Sequence, residues 1–299
     1  MFDDFKNAFS RHNNAHVQLI LINVAIFIVL GLLRVFSTVG GFEDTFRIIH
    51  NQFSIPPAFA EFVTRPWTIL TYAFAHDLSG IWHIFFNMLV LYWFGKIFIE
   101  YLGSDKLVAV YILGAIAGAV LYLIAYNTIP FFIERMPGGM VGASAAVNAI
   151  VVAAATLLPD YTVFLFLLGP VRIKYIAAFY VIVSFLGSVG PNAGGNIAHL
   201  GGALIGFVYI KQLQAGINWG GWITLTLDWF KNLFKAKPKV KVSYRSQQYE
   251  DYKRASKSSK ASGISQAEID AILDKISAGG YESLTKDEKE KLFNASKKG

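Results

Sequence analysis

The stretch that decides the reading is Gly139-Met140-Val141-Gly142-Ala143-Ser144-Ala145-Ala146-Val147-Asn148-Ala149-Ile150. Its first half is a glycine-bearing loop and its second an alanine-rich apolar run, so irregular backbone gives way there to helix. Ser144 falls at the changeover, between small residues that leave its hydroxyl open. A hydroxyl at a helix N-terminus faces the positive end of the macrodipole, which suits a nucleophile beside which negative charge develops. Small residues are equally what membrane helices use to approach one another. Taken alone, Ser144 leaves both readings open, a reactive group or a packing residue.

Outward from this stretch the chain is strongly apolar. Its 299 residues are 54% hydrophobic and 16% charged, with a mean hydropathy of +0.44, against about 45–50% and 25% in soluble domains. The fold class expected is all-α, a polytopic membrane protein with spans at 17–36, 81–101, 107–127, 142–158, 173–187 and 196–210. Residues 1–210 carry ten Lys/Arg and ten Asp/Glu, so the whole net charge of +7 lies in 211–299. Six spans put both termini on one side, and the basic tail makes that side cytoplasmic. Anionic lipid accounts for such a tail, and no nucleic-acid partner is expected. The chain has no cysteine, which excludes disulfides and thiolate chemistry. Asp3 and Asp4 precede a long span with no cleavage site after it, so no signal peptide is read. An integral protein of a prokaryotic cell (inner) membrane is expected.

Four segments follow: a cytoplasmic N-terminus at 1–16, a six-span core at 17–212, an amphipathic and basic flexible linker at 213–264, and a helical hairpin at 265–299. Within the core, the phenylalanine-studded loop 37–66 reads as interfacial. Residues 161–168 read as a short interfacial return. The uncharged, glycine-bearing loop 188–195 reads as a mobile cap. Ser265-Gln266-Ala267-Glu268 and Thr285-Lys286-Asp287-Glu288 are capping boxes. They open the two helices of the hairpin, expected to be a docking or regulatory element for a cytoplasmic partner rather than a catalytic domain.

Polar side chains at bilayer depth are costly and mark function. His83 and Asn87 are four apart and share a helix face. His199 stands in Ala198-His199-Leu200-Gly201-Gly202-Ala203-Leu204-Ile205-Gly206, where Gly202 and Gly206 form a surface another helix can approach closely. If the helix starting at Ser144 docks there, Ser144 reaches His199. The alternative for each of these residues is a plain interhelical hydrogen bond. His12, His16, His50 and His76 are read as lying near water. No Asp or Glu occurs between Asp160 and Asp228, and only Glu134 between Asp105 and Asp160. A Ser–His dyad is therefore simpler than a triad, and the spacing of His and carboxylates offers no metal site.

Together, His83-x-x-x-Asn87, Gly142-x-Ser144 and Ala198-His199-x-x-Gly202-x-x-x-Gly206, with Gly95 through Gly103, resemble the rhomboid family of intramembrane serine proteases over residues 15–212. The resemblance implies that Ser144 is the nucleophile and His199 its general base. It also implies that His83, Asn87 and the Ser144 backbone N–H form the oxyanion hole. Substrates would be transmembrane segments of other proteins, cut in or near the bilayer without a cofactor. Three departures stand out. Ala145 replaces the second glycine of the family's G-x-S-G and either crowds the oxyanion hole or is accommodated. Asn148 stands where an aromatic often stacks on the histidine. Thr68 follows Trp67, and the basic residue, Arg65, comes before it. Against the protease reading stand a rhomboid-like protein that binds transmembrane clients without cutting them, and a small transporter. The latter is disfavoured because the chain has no repeated halves.

Overall fold

The computed structural model describes residues 6, 8, 13–165, 169–233 and 265–296. Four helices are long and apolar enough to cross a membrane: α1 (Ala15–Gly40), α5 (Trp82–Leu102), α6 (Ser104–Thr128) and α10 (Ala193–Gln214). Two shorter apolar helices complete the bundle, α8 (Ser144–Leu157) and α9 (Ile173–Gly187). At about 1.5 Å per residue, α8 measures roughly 21 Å, less than the ~30 Å of bilayer hydrocarbon. It can be short because protein surrounds it: every residue from Ala145 to Ala155 is buried. Alanines at that density leave little side chain between backbones, and α8 packs against α10, α6, α5 and α9. It is the axis of the bundle.

The α8–α10 interface explains the glycines. A methyl on Gly202 would stand 2.0 Å from the Ala145 carbonyl oxygen, and one on Gly206 would stand 2.2 Å from that of Ala149. Backbone cannot yield as a side chain can, so only hydrogen fits. The pairing of 202 with 145 and 206 with 149 also fixes the two helices in parallel register.

Between α1 and α5 the chain forms three short helices, α2 (Glu43–Asn51), α3 (Phe59–Phe62) and α4 (Thr68–Thr71), where a loop was expected. None of the residues of α2 is buried, and Phe42, Ile48, Phe59 and Val63 are exposed, as befits a segment at a membrane interface. Arg65 holds this region together, donating to the Asn51 carbonyl and the Glu61 carboxylate. Two buried tyrosines fasten its far end to α6: Tyr72 Oη donates to Ala115 O at 2.7 Å, and Tyr111 Oη to Ala73 O at 2.6 Å. Asn23 of α1 donates to Tyr111 Oη at 3.1 Å. After α6, the one-turn helix α7 (Pro130–Ile133) leads into the Ser144 loop.

The all-α expectation needs one correction. Thr162–Leu165 (β1) and Gly169–Arg172 (β2) pair antiparallel, with Thr162 opposite Arg172 and Leu165 opposite Gly169, where an interfacial return was read. β-branched Thr162, Val163 and Val171 favour the extended form. Asp160 ties the base of the hairpin to Lys174 at 2.7 Å and Arg172 at 3.2 Å. The helix carrying His199 starts at Ala193 rather than 196, because Gly194 packs against Tyr122 and enters the helix. It ends at Gln214, two residues past the expected limit of the core. The amphipathic helix α11 (Gly221–Leu233) follows, with Trp222, Leu225 and Trp229 exposed. The linker at 234–264 and most of the N-terminus lie outside the described residues.

Contacts divide the chain into Met1–Lys235 and Ala236–Gly299. In the second unit, α12 (Gln266–Gly279) and α13 (Lys286–Ser296) flank the turn Tyr281–Ser283. Both capping boxes close. Ser265 Oγ accepts from Glu268 N while Ser265 N donates to the Glu268 carboxylate, and Thr285 and Glu288 exchange the same pair of bonds. Lys275 reaches Glu288 at 2.9 Å, linking the two helices.

Gly202→Ala should destabilise the bundle by at least the ~1–3 kcal/mol of core overpacking. Gly31→Ala, mid-helix and meeting nothing within 4 Å, should instead leave stability unchanged or raise it by up to about 1 kcal/mol of helix propensity. Thermal unfolding in detergent micelles checks the pair; equal effects would contradict the backbone contact.

Candidate active site

Ser144 is the first residue of α8, whose leading N–H groups have no carbonyl partner within the helix. The loop that delivers it is pinned on two sides. Ile55 and Met140 exchange backbone hydrogen bonds at 3.0 Å, and Gly142 N donates to Tyr72 O at 2.9 Å. The Tyr72 ring is itself anchored on α6, so the loop inherits a fixed height relative to the bundle. Gly142 has φ +143, a conformation side chains rarely adopt. A methyl there would lie 3.2 Å from His83 Cε1 and 3.5 Å from both His83 Nε2 and Ser144 Oγ. Glycine thus keeps open the small space between His83 and the Ser144 hydroxyl.

The parallel register of α8 and α10 brings His199 over Ser144, with Nε2 2.7 Å from Ser144 Oγ. The other ring nitrogen, Nδ1, lies 3.3 Å from Ser184 Oγ on α9. Ser184 is a buried residue that the sequence reading missed; a lone serine in an apolar run carries no signal of what it faces. His83 and Asn87 occupy the same face of α5, and Asn87 Nδ2 donates to the His83 carbonyl at 2.8 Å. His83, Asn87, Ser144 and His199 line one cavity of about 490 Å³. The sequence-chosen residues are therefore brought together, and Gly202 and Gly206 stand one and two turns below them in the α8–α10 contact.

The departures from the expected motif have local explanations. The Ala145 methyl is fully buried and lies against α6, where a methyl on Gly118 would meet it at 2.6 Å. Asn148 is buried and donates to the Ser144 carbonyl at 2.9 Å, one turn back along its own helix.

Two histidines read as near water are buried instead. His16 packs against Tyr92 at 5.5 Å between ring centroids. His76 is fully buried and meets His83 edge-on at 5.5 Å; burial and the neighbouring His83 hold its pKa down to about 4. Next to it, Asp77 accepts from Ser79 N and Oγ at 2.9 and 2.7 Å, which keeps its carboxyl below the usual range.

A second cavity, about 660 Å³, adjoins the first at His83 and Asn192. Asp77, Arg135 and the backbone around Gly139 and Gly190 give it a polar lining. Non-helical backbone at membrane depth is tolerated where it borders such a cavity. The connection between α9 and α10, read as a mobile cap over 188–195, is shorter. It is braced by Gly190 N on Gly187 O at 3.0 Å and by Asn196 Nδ2 on Gly187 O at 3.0 Å and Asn192 O at 2.9 Å.

The family model of the Rhomboid domain matches residues 63–214, and a family of unknown function matches residues 258–298. The chain is 32% identical over 162 residues, 51% of its length and 48% of the relative's, to RHOMBOID-like protein 12, mitochondrial, of Arabidopsis thaliana. It is 30% identical to Rhomboid protein 1, mitochondrial, of Saccharomyces cerevisiae, covering 50% of the chain and 42% of the relative. Identity to the chloroplastic Rhomboid-like protein 16 of Arabidopsis thaliana is 26%, over 51% and 50% of the two lengths. The chain thus spans about half the length of the relatives it matches. Their names are organellar, so the expectation of a prokaryotic cell membrane is not borne out.

With its methyl seated against Gly118, Ala145 should stabilise α8. Ala145→Gly should lower stability by about 1 kcal/mol, the helix-propensity difference alone, in thermal unfolding. A more stable variant would show that the methyl is strained.

Proposed function

The chain belongs to the rhomboid family, and on that premise we propose that it is an intramembrane serine endopeptidase acting on transmembrane segments of other proteins. The observation that carries this reading is the 2.7 Å contact between His199 Nε2 and Ser144 Oγ. A serine hydroxyl is a weak nucleophile until an adjacent base takes its proton.

In the proposed reaction, Ser144 Oγ attacks the scissile carbonyl carbon while its proton passes to His199 Nε2. The carbonyl π electrons move to oxygen, giving a tetrahedral oxyanion. Donors from His83, Asn87 and the Ser144 backbone N–H stabilise that charge, aided by the N-terminal dipole of α8. His199 then protonates the leaving amine as the C–N bond breaks, and an acyl-enzyme remains on Ser144. Water from the polar cavity beyond His83 attacks the acyl group, with His199 again taking the proton. As the second tetrahedral intermediate collapses, the acyl C–Oγ bond breaks, His199 returns the proton to Ser144 Oγ and the new carboxyl end of the substrate leaves. No cofactor or metal enters this sequence.

The substrate's route is proposed from the same cavities. The one holding Ser144 and His199 is walled by α5 and α9, through Phe86, Phe179 and Val183. Val90, Phe179 and Tyr180 continue it into a groove of about 920 Å³ toward Lys96 and Glu100. An apolar helix entering between α5 and α9 would lie along this groove and bring its upper end to Ser144. Counting α8 and α9 as spans gives six, with both termini on the cytoplasmic side. There α11 and the basic linker would meet anionic lipid, and the helices at 265–296 would dock a cytoplasmic partner.

Cleavage of a transmembrane reporter in proteoliposomes tests the proposal. Ser144→Ala and His199→Ala should each abolish turnover, with losses on the order of 10⁶ that do not add because the pair acts as a unit. Asn87→Ala should cost roughly 10²–10³, the scale for one oxyanion donor. A wild type that binds the reporter and never cuts it would favour a client-binding role.

A further inference from the structure

His199 has one partner for each ring nitrogen, Ser144 on Nε2 and Ser184 on Nδ1. A general base works on Ser144 only in the tautomer whose Nε2 carries the lone pair, which requires the proton on Nδ1 and an acceptor to hold it there. In soluble triads a buried carboxylate fills that place. This chain has no acidic residue between Asp160 and Asp228, and among the described residues no carboxylate bonds to His199.

Ser184 stands where the acceptor is needed, and its setting on α9 is informative. Only three residues of α9 are buried, Ile173, Ala177 and Ser184. Spacings of four and seven place them on one helical stripe, the inward one. A hydroxyl at an inward position of an apolar helix is costly unless bonded, and its partner among the described residues is Nδ1. With Phe179 and Val183 of the same helix, Ser184 also lines the cavity that contains Ser144.

We propose that Ser184 is the positioning residue of the base: its Oγ accepts from His199 Nδ1–H, aims Nε2 at Ser144, and stabilises the ring once it has taken the Ser144 proton. This rests on the protease reading above. It adds that the tautomer of the base is set by α9, the helix against which the substrate would lie, while the tightly packed α8–α10 pair sets its distance to Ser144. Substrate pressing on α9 then bears directly on the tautomer of the base.

The test uses the full chain in proteoliposomes with a transmembrane reporter, comparing Ser184→Ala with Ser184→Thr. Loss of the hydroxyl should lower kcat about ten- to a hundredfold, as for one hydrogen bond to a charged group. KM should change little, and threonine, which keeps the acceptor, should recover most of the rate. In parallel, ¹⁵N spectra of histidine-labelled protein in detergent, with His199 assigned by its loss in His199→Ala, report the tautomer without requiring turnover. Wild type should show His199 protonated on Nδ1, and Ser184→Ala a mixture of tautomers. Identical ¹⁵N patterns in the two, or an alanine variant with unchanged kcat, would overturn the assignment. A wild type with the Nδ1–H pattern but no cleavage would instead fail the protease reading alone.

Discussion

Everything at the Ser144 end of the bundle depends on two backbones touching. Gly202 and Gly206 of α10 rest on the Ala145 and Ala149 carbonyls of α8 with no room for a methyl. In hydrocarbon no water is expelled to drive helices together, so close packing of small residues must supply the attraction. That contact also fixes register. His199 lies three residues before Gly202 and Ser144 one before Ala145, so the interface that stabilises the pair also places imidazole against hydroxyl. Slipping α10 by one residue would set a side chain against a carbonyl and carry the ring away from Ser144.

The second constraint is the shortness of α8. Because it is buried on all sides, it can be shorter than the other apolar helices, and the chain reaches it through a non-helical loop braced by Ile55, Tyr72 and Met140. By contrast, only three residues of α9 are buried. The bundle thus combines a close-packed α8–α10 seam, which holds Ser144 and His199, with a sparsely buried wall beside it.

Much of this was legible in the sequence, for identifiable reasons. Long apolar runs announced α1, α5, α6 and α10, and the four-residue spacing of Gly202 and Gly206 announced a close helix approach next to His199. Ser144 stood out because a loop turned to helix at it. What escaped were features decided by tertiary neighbours. The strands at Thr162–Leu165 and Gly169–Arg172 come from a run too short for its periodicity to separate strand from helix. The start of α10 was hidden because glycines that look like loop are there to admit Tyr122. His76 reads as polar and near water, yet its burial comes from packing beside His83. Ser184 had no visible partner until α9 and α10 were side by side, and the direction of the Ala145 methyl depended on Gly118 lying opposite.

In the proposed reaction the α8–α10 seam makes the Ser144 hydroxyl a nucleophile by holding His199 against it. The most direct measurement is reaction of the purified full chain with a fluorophosphonate probe, followed by mapping of the adduct by mass spectrometry. A single adduct on Ser144, absent from a folded His199→Ala protein, is the predicted result. An unlabelled wild type, or a Ser144 that labels equally well without His199, would contradict it.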